Sequence, residues 1–335
     1  MLNTQVLFKS EPKGLPTADN FDIVTRPMPN IEAGQFLLKN HYLSLDPYQR
    51  MLMGGGWTYA PKFLEPGDLM IGRILGEVIE SQNADYPIGT YVVGRLGWQT
   101  YVVSDGSDLD FTVSQKDGVT LSAYLGACGS TGTTAWVGLK ITGRVKTGET
   151  VLVSAAAGSV GSTVGQLAKA MDCKAIGIAG GAEKCKLVTD TFGFDACVDY
   201  KAAGLEDQIR AVVPDGVDVY FDNVGGAVLD AALANMNKFG RIPVCGVLSA
   251  YNEQGERYGV KNMHKFFDKS LTMEGFVLNE HKARWPEARA EIEDLIVADK
   301  LVSRETIADG IENAPEAFIG MLEGKNIGKQ LVKLA

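Results

Sequence analysis

Hydrophobic and polar residues follow two different rhythms along this chain, and the change comes near residue 151. Before that point, short apolar runs are separated by proline and glycine, which is typical of β-strands joined by turns. The pattern predicts strands over residues 36–45, 70–79, 91–96 and 101–103. We therefore expect the first third of the chain to be rich in β-structure.

After residue 151, short apolar runs alternate with segments of helical periodicity. Strands are predicted over residues 151–154, 174–179, 196–199, 217–221, 241–245 and 271–276. Helices are predicted between them over residues 160–171, 183–192, 205–213, 227–237 and 261–269. Six strands with five helical crossovers predict an α/β fold with a doubly wound parallel sheet. Two more helices, over residues 285–298 and 315–322, and a strand over residues 329–334 complete the chain.

The junction between the first of these six strands and its helix is made of small residues, AAAGSVG over residues 155–161. A strand, a small-residue turn and a helix suit a dinucleotide pyrophosphate. The backbone can approach the phosphates, and the helix N-terminus offers free N–H groups. Ala156, Gly158 and Gly161 hold the three small positions, with alanine in place of the first glycine. This pattern is weak evidence alone, because such a turn also packs well.

The end of the second strand bears on which dinucleotide binds. NAD-binding proteins usually carry an acid there, about 20 residues past the glycine turn, to bond the ribose 2′-OH. Here the strand ends in Ala179, Gly180 and Gly181, and Lys184 follows. A lysine bond to a 2′-phosphate contributes roughly 1.5–3 kcal/mol. The sequence therefore favours NADP(H) at Gly180 and Lys184 over NAD(H), the alternative for Lys184 being a solvated lysine.

Two later strand ends also switch from apolar to polar or small residues. Asp222 and Asn223 follow the fourth strand, and CGVLSAYN, residues 245–252, follows the fifth. Because ligands of open α/β sheets bind at the carboxyl ends of the strands, both segments are candidate cofactor contacts. The alternative is that these residues only form turns between helices and strands. That alternative explains Gly226 well, but it explains the change from apolar to polar residues at Asp222 poorly.

Composition narrows the class of protein. The 335 residues carry a net charge of −9 with a pI near 5.0, which argues against a nucleic-acid binder with a basic face. The chain has no apolar run of 18 residues and no basic start followed by an apolar core. We therefore expect neither a membrane span nor a signal peptide, and a cytoplasmic location.

Cysteine and histidine are sparse and scattered. The cysteines lie at Cys128, Cys173, Cys185, Cys197 and Cys245, and the histidines at His41, His264 and His281. No CxxC pair occurs, and the cysteine count is odd, so disulfide scaffolding is not expected. Zinc sites need clustered ligands, so the sequence predicts no metal site.

Several blocks together resemble a known family. They are AAAGSVGSTVGQLAK at residues 155–169, YFDNVGG at 220–226, RIPVCGVLSAYN at 241–252, ENAPEAFIGMLEGKNIGKQLVK at 312–333 and YLSLDPYQR at 42–50. The combination resembles the zinc-independent medium-chain dehydrogenase/reductases. Within that family it is most similar to the NADP-dependent alkenal and enone double-bond reductases, the prostaglandin and curcumin reductase group.

The resemblance implies two domains. Residues 1–122 and 300–335 would form a GroES-like β-rich catalytic domain, and residues 123–299 a Rossmann NADP-binding domain, with the active site in the cleft between them. Zinc-dependent relatives carry a cysteine ligand in the block that reads LSLDPYQR here, and a Gly-His-Glu motif downstream; this sequence has neither. The family is often dimeric, so a homodimer is expected, with the Rossmann sheet edge as the interface.

The resemblance also assigns residues. The pyrophosphate turn falls on Gly158, Ser159, Val160 and Gly161, and the 2′-phosphate contacts fall on Lys184 and Tyr200. Further cofactor contacts fall on Asn223, Cys245, Gly246, Val247, Leu248, Ser249, Tyr251, Phe276, Val277, Leu278 and Asn326. The loops at residues 53–63 and 252–260 depart from the relatives and are expected to shape the substrate pocket.

Reduction of an α,β-unsaturated carbonyl needs a hydride at the β-carbon and a donor for the charge that develops on oxygen. Tyr251 is the first candidate for this donor, together with a ribose hydroxyl of the cofactor, and Tyr48 is a secondary pocket residue. Trp57 and Tyr59, in a glycine-rich loop at residues 53–61, are expected to form a lid or wall rather than to take part in chemistry.

Two other functions remain open at this point. A quinone oxidoreductase of the same superfamily would oxidise NADPH faster with quinones than with enals. A non-catalytic NADPH-binding scaffold would bind the cofactor and reduce no acceptor. In every case the expected partners are a small molecule and a second copy of the chain, with no nucleic acid and no membrane.

Overall fold

The computed structural model describes residues 2–28, 30–54, 62–252 and 258–334. The chain divides into two compact units. The first comprises Met1–Gly126 and Glu305–Ala335, and the second Ala127–Arg304. Each unit has its own sheet and its own apolar core.

The secondary structure is given in chain order. The strands are β1 Leu2–Phe8, β2 Phe21–Pro27, β3 Phe36–Ser44, β4 Arg73–Ser81, β5 Tyr91–Gly94, β6 Tyr101–Ser104, β7 Leu109–Thr112, β8 Thr150–Ser154, β9 Lys174–Ala179, β10 Ala196–Asp199, β11 Val217–Phe221, β12 Met236–Val244, β13 Thr272–Gly275, β14 Glu305–Asp309 and β15 Lys329–Lys333. The helices are α1 Tyr48–Leu52, α2 Ser130–Trp136, α3 Ser159–Ala170, α4 Ala182–Asp190, α5 Leu205–Val212, α6 Gly226–Asn235, α7 His264–Lys269, α8 Trp285–Val297 and α9 Ala314–Leu322. A π-helical segment, Val137–Thr142, continues α2.

The first unit is built on a largely antiparallel sheet. Among the described residues its strand order is β14-β15-β3-β4-β5-β7, with β6 paired to β3 and a separate β1–β2 hairpin. Only the β14–β15 pair in this sheet is parallel among the described strands. Its core includes Trp98, which stacks on Phe21 with 5.9 Å between the ring centroids and meets Phe318 of α9 edge-on.

The second unit is a parallel sheet with helical crossovers. Among the described residues the strand order is β10-β9-β8-β11-β12-β13, and every neighbouring pair is parallel. The order reverses between β8 and β11, which is where open α/β sheets bind ligands. Buried aliphatic residues such as Leu152 and Ile176 explain why these strands read as continuous apolar runs.

The predicted fold class, which combines a doubly wound α/β sheet with a separate β-rich part, is confirmed. The boundary between one helix and the next strand was predicted wrongly: the helix expected over residues 227–237 ends at Asn235, and Met236 already begins β12. The side-chain amide of Asn235 donates to the carbonyl oxygens of Ala231 and Glu206, and Met236 takes an extended conformation. An apolar pattern that runs on through Met236 does not reveal this stop.

Candidate active site

The small-residue turn after β8 is shaped by close backbone approach. Ala155 has a positive φ of 50°, and a Cβ at Gly161 would lie 2.3 Å from the carbonyl oxygen of Ala155. Any side chain at Gly161 would therefore push α3 away from the turn. At Gly158 the same carbonyl oxygen is 3.2 Å from a Cβ position, so that glycine is less constrained.

The N-terminus of α3 opens at this turn. Gly158 precedes the helix, and the N–H of Ser162 donates to its carbonyl oxygen at 2.9 Å. The N–H groups of Ser159, Val160 and Gly161 therefore precede the first intrahelical bond and have no acceptor within the helix. A phosphate at this position would receive both these donors and the positive end of the helix dipole.

Gly180 and Gly181 follow β9 as expected, and side chains from the end of β10 meet them. The N–H of Gly181 donates to Oδ1 of Asp199 at 2.7 Å, and Gly181 has φ of 97°. A Cβ at Gly180 would lie 2.9 Å from the ring of Tyr200, which is half-exposed. Burial lowers the pKa of Lys184, one turn into α4, and the charge of Lys201 lowers it further. The two predicted phosphate ligands thus flank one glycine turn.

The ends of β11 and β12 are joined by a short ladder. The N–H groups of Cys245, Leu248 and Ser249 donate to the carbonyl oxygens of Asp222, Asn223 and Val224, at 2.8, 3.1 and 3.1 Å. On the other side, the Asn223 amide donates to the carbonyl oxygen of Ser154 at 2.7 Å. The segment before Tyr251 is therefore fixed to the strand ends at the point where the order of the sheet reverses.

The side chain of Asp222 stabilises the turn at the end of β11, where this ladder begins. Its Oδ1 accepts from the Tyr220 hydroxyl and from the N–H groups of Val224 and Gly225, at 2.8–3.0 Å. Its Oδ2 is buried and has no hydrogen-bond partner in the described part of the chain. Burial raises the pKa of Asp222 against the lowering by those N–H groups. The carboxyl group acts structurally, as a brace for the turn that precedes α6.

Tyr251 follows a 3₁₀ turn at the end of the ladder. Its hydroxyl oxygen lies 3.4 Å from the Cβ position of Gly246, so the ring folds back over the backbone at the end of β12. Burial, together with a smaller contribution from Cys245, raises the pKa of Tyr251 to about 12 against an opposing effect of the Val247 N–H. The phenol is therefore a donor, and not an anion, at neutral pH.

Three predicted cofactor residues follow β13. The ring of Phe276 packs edge-on against Phe221 with 6.3 Å between the centroids. The carbonyl oxygen of Leu278 accepts from the Trp285 indole at 3.2 Å, and Val277 is exposed. Phe276 therefore contacts the end of β11, whereas the Leu278 carbonyl is already engaged by α8.

Two predicted residues belong to the first unit. Tyr48 begins α1, and burial raises its pKa, with Arg73 acting in the opposite direction. Asn326 lies before β15, and its amide donates to the carbonyl oxygen of Gly328 at 2.9 Å. Trp57, Tyr59 and most of the two loops expected to shape the pocket lie outside the described residues.

Sequence reasoning missed Thr131 and Asp199. The Ser159 hydroxyl donates to the Thr131 hydroxyl at 2.7 Å, which joins α2 to the phosphate turn. Asp199 supplies an acid to the turn after β9, from the neighbouring strand rather than from β9 itself. Its position at the predicted end of a parallel strand was the available signal, because such ends converge at one edge of the sheet.

No cluster of three or more His, Cys, Asp or Glu side chains suited to a metal ion occurs within residues 2–28, 30–54, 62–252 and 258–334. Over the same ranges, no helix is long and apolar enough to cross a membrane.

The chain is similar to known oxidoreductases along nearly its whole length. Its residues 4–111 match a family described as the N-terminal domain of oxidoreductase, and residues 159–294 match one described as zinc-binding dehydrogenase. It is 40% identical over 338 residues to an NADPH-dependent curcumin reductase of Escherichia coli (strain K12), covering 99% of this chain and 97% of that protein. It is 41% identical over 328 residues to prostaglandin reductase 1 of Mus musculus, covering 96% of each.

A solved structure matches along the same length. The crystal structure of CurA from Vibrio vulnificus in complex with NADPH has a TM-score of 0.92 to this protein, with 40% identity and 99% of each chain covered. The expected resemblance is thus confirmed over nearly the whole sequence. The chain belongs to the medium-chain dehydrogenase/reductases, in the NADP-dependent group of alkenal and enone reductases.

Proposed function

We propose that this protein reduces the carbon–carbon double bond of α,β-unsaturated aldehydes and ketones with NADPH, and that Tyr251 is its oxyanion donor. The activity follows from full-length identity of about two fifths to reductases named for curcumin and prostaglandins. The observation that supports the catalytic assignment is the ladder from residues 222–224 to residues 245–249, which leads into Tyr251. The overall reaction consumes one enone, one NADPH and one proton, and gives the saturated carbonyl compound and NADP⁺.

The residues of the second unit fit NADP(H). Gly161 lets the backbone close on the pyrophosphate position, and three N–H groups of α3 point toward it. Lys184 and Tyr200 stand at the turn where the 2′-phosphate would lie. When bound, NADPH supplies the hydride for the β-carbon of the substrate. Asn223, residues 245–249 and residues 276–278 are the proposed further contacts.

The protein's chemical contribution is made at the carbonyl oxygen. Negative charge grows on this oxygen as the hydride reaches the β-carbon, because the product of that step is an enolate. A hydroxyl donor aimed at the oxygen stabilises this charge more than it stabilises the neutral enone. Tyr251 can serve, since its raised pKa keeps the proton on the phenol. Tyr48 is proposed as a second pocket residue, and no step uses a metal ion.

The experiment is a comparison of NADPH oxidation rates with enals, long-chain enones, diarylheptanoids and quinones at matched concentrations. We expect kcat/KM to be at least 10-fold higher for the best enone than for the best quinone, with the saturated ketone as product. Faster turnover of quinones than of enones would instead indicate a quinone oxidoreductase. Tight NADPH binding without turnover of any acceptor would indicate a non-catalytic scaffold.

We also propose a homodimer that forms through β13. This strand lies at the end of the six-stranded sheet, and all four of its residues are exposed. Edge strands carry unpaired N–H and C=O groups that can pair with another copy. Exposed apolar side chains occur in and just before α7, the helix that precedes β13 in the chain, including Phe267 at 90% and Met263 at 54% exposure. We also propose a cytoplasmic location, because the five cysteines are free and thiols stay reduced in the cytosol.

Replacing Met273 by glutamate should convert this dimer to monomers, because like charges would face each other across the paired edges. Sedimentation of the wild type should give twice the 36.0 kDa chain mass, and the variant should give the chain mass itself. Ile88→Glu is the matched control, an equally drastic change at an exposed apolar residue of the first unit. A wild-type monomer, or equal dissociation of both variants, would contradict this interface.

A further inference from the structure

Lys201 is not among the residues assigned to the proposed reductase, yet it is held at the carboxyl end of the parallel sheet. It follows Tyr200 directly after β10. Its backbone N–H donates to Oδ1 of Asp199 at 2.9 Å, and the N–H of Gly181 donates to the same oxygen at 2.7 Å. A single carboxylate oxygen of Asp199 therefore links the backbone of Lys201 to the glycine turn after β9.

The side chain of Lys201 turns toward that glycine turn. Its Cε lies 3.0 Å from the Cβ position of Gly180, and the ring of Tyr200 lies 2.9 Å from the same point. Both side chains thus cover the bare α-carbon of Gly180. Any residue other than glycine there would displace one of them.

Lys201 and Lys184 form a pair of like charges at this turn. The positive charge of Lys201 makes protonated Lys184 less stable, in addition to the effect of burial. Within the described part of the chain Lys201 makes no ion pair, although its charge contributes to the lowered pKa of the nearby Asp199. The Oδ1 of Asp199 accepts from two backbone N–H groups. Two neighbouring cations cost free energy in the free protein, and a doubly charged anion between them would reverse that cost.

We infer that Lys201 is a specificity-determining residue, a second cation that holds the 2′-phosphate of NADPH together with Lys184. Tyr200 and Gly180 form the wall and the floor of this anion site. Asp199 acts as a positioning residue that fixes Lys201 and the Gly181 backbone. The inference rests on the NADP(H) dependence within the proposed function and on no part of its carbonyl chemistry.

The test is binding, not turnover. Dissociation constants for NADPH and NADH are measured by fluorescence titration for the wild type, Lys201→Gln and Lys201→Arg. Lys201→Gln should weaken NADPH binding roughly 10- to 100-fold, the loss expected for one charge-assisted bond. NADH binding should change less than 2-fold, which also shows that the variant is folded. Lys201→Arg keeps the charge and should keep most of the preference.

The matched control is Lys186→Gln, which removes one positive charge from α4 at an exposed residue that pairs with Asp190. It should leave the ratio of the NADPH and NADH constants unchanged. The probes 2′,5′-ADP and 5′-AMP isolate the phosphate, and only 2′,5′-ADP should bind more weakly to Lys201→Gln. An unchanged ratio in Lys201→Gln, or an equal loss in Lys186→Gln, would overturn the inference. Failure of the proposed reductase chemistry would appear only in the turnover assay.

Discussion

Replacing Tyr251 by phenylalanine is expected to lower kcat/KM for the best enone about 100- to 1000-fold, or about 2.7–4 kcal/mol, the usual cost of losing one oxyanion donor. The ring and its packing at the end of β12 are kept, so only the hydroxyl proton is lost. Because the effect falls on the transition state, kcat should fall while the dissociation constant for NADPH changes little. Steady-state kinetics and cofactor titration on the same preparation measure both quantities.

The pH dependence gives this prediction a second readout. Burial raises the pKa of Tyr251 to about 12, so the phenol stays protonated through neutral and mildly alkaline pH. The wild-type rate should therefore show no Tyr251-linked loss below about pH 10, the ordinary tyrosine value. Tyr91→Phe, on the sheet of the first unit, is the control for a lost phenol. Enone turnover by Tyr251→Phe within a few-fold of the wild type would remove Tyr251 from the mechanism.

Replacing Lys329 by methionine is expected to lower the free energy of unfolding by about 3–5 kcal/mol, because removal of one partner leaves the other charge buried and unpaired. The ammonium of Lys329 lies 2.8 Å from Oδ1 of Asp46, and both side chains are less than 10% exposed. The Ser44 hydroxyl donates to the other carboxylate oxygen at 2.6 Å. Denaturant unfolding followed by circular dichroism and tryptophan fluorescence measures the loss.

The direction of the pH effect follows from Asp46. Burial alone would raise its pKa, but the charge and hydrogen bond of Lys329 and the bond from Ser44 outweigh it, and the net pKa is lowered. The stabilisation is therefore present above the unfolded carboxyl pKa of about 3.9 and disappears as pH falls through the folded value. Adding Asp46→Asn to Lys329→Met should recover part of the loss at neutral pH. An unfolding midpoint of Lys329→Met equal to that of the wild type would contradict a stabilising role for this ion pair.

The fold was predictable where apolar residues are concentrated. The runs at β9, β10 and β11 are mostly apolar, with one charged residue each at Lys174, Asp199 and Asp218, and the predicted bounds match the observed ones. The prediction missed β2, because only Phe21 of its seven residues is buried and the other six mix polar and apolar side chains without alternation. It also missed β14, a five-residue strand at the edge of its sheet that has no fully buried residue. Such strands owe their state to their partners rather than to their own sequence.

The candidate site likewise contains some residues that could be predicted from the sequence and some contacts that could not. The glycine turn, Lys184 and Asn223 are marked by local sequence, since a strand end and a helix start bracket them. The bonds from Gly181 to Asp199 and from Ser159 to Thr131 join residues 18 and 28 positions apart. They depend on which strand or helix packs beside the turn, and a single sequence does not contain that information in a readable form. The roles of Tyr251 and Tyr48 remain predictions.

Hydride delivery to the β-carbon is tested most directly by the position of the label when an enone is reduced with NADPH deuterated at the transferable C4 position. The proposed mechanism predicts a saturated ketone that carries one deuterium at the β-carbon, with the hydrogen at the α-carbon drawn from solvent. Deuterium at the carbonyl carbon of an allylic alcohol, or an unchanged enone while NADPH is consumed by quinones, would contradict it.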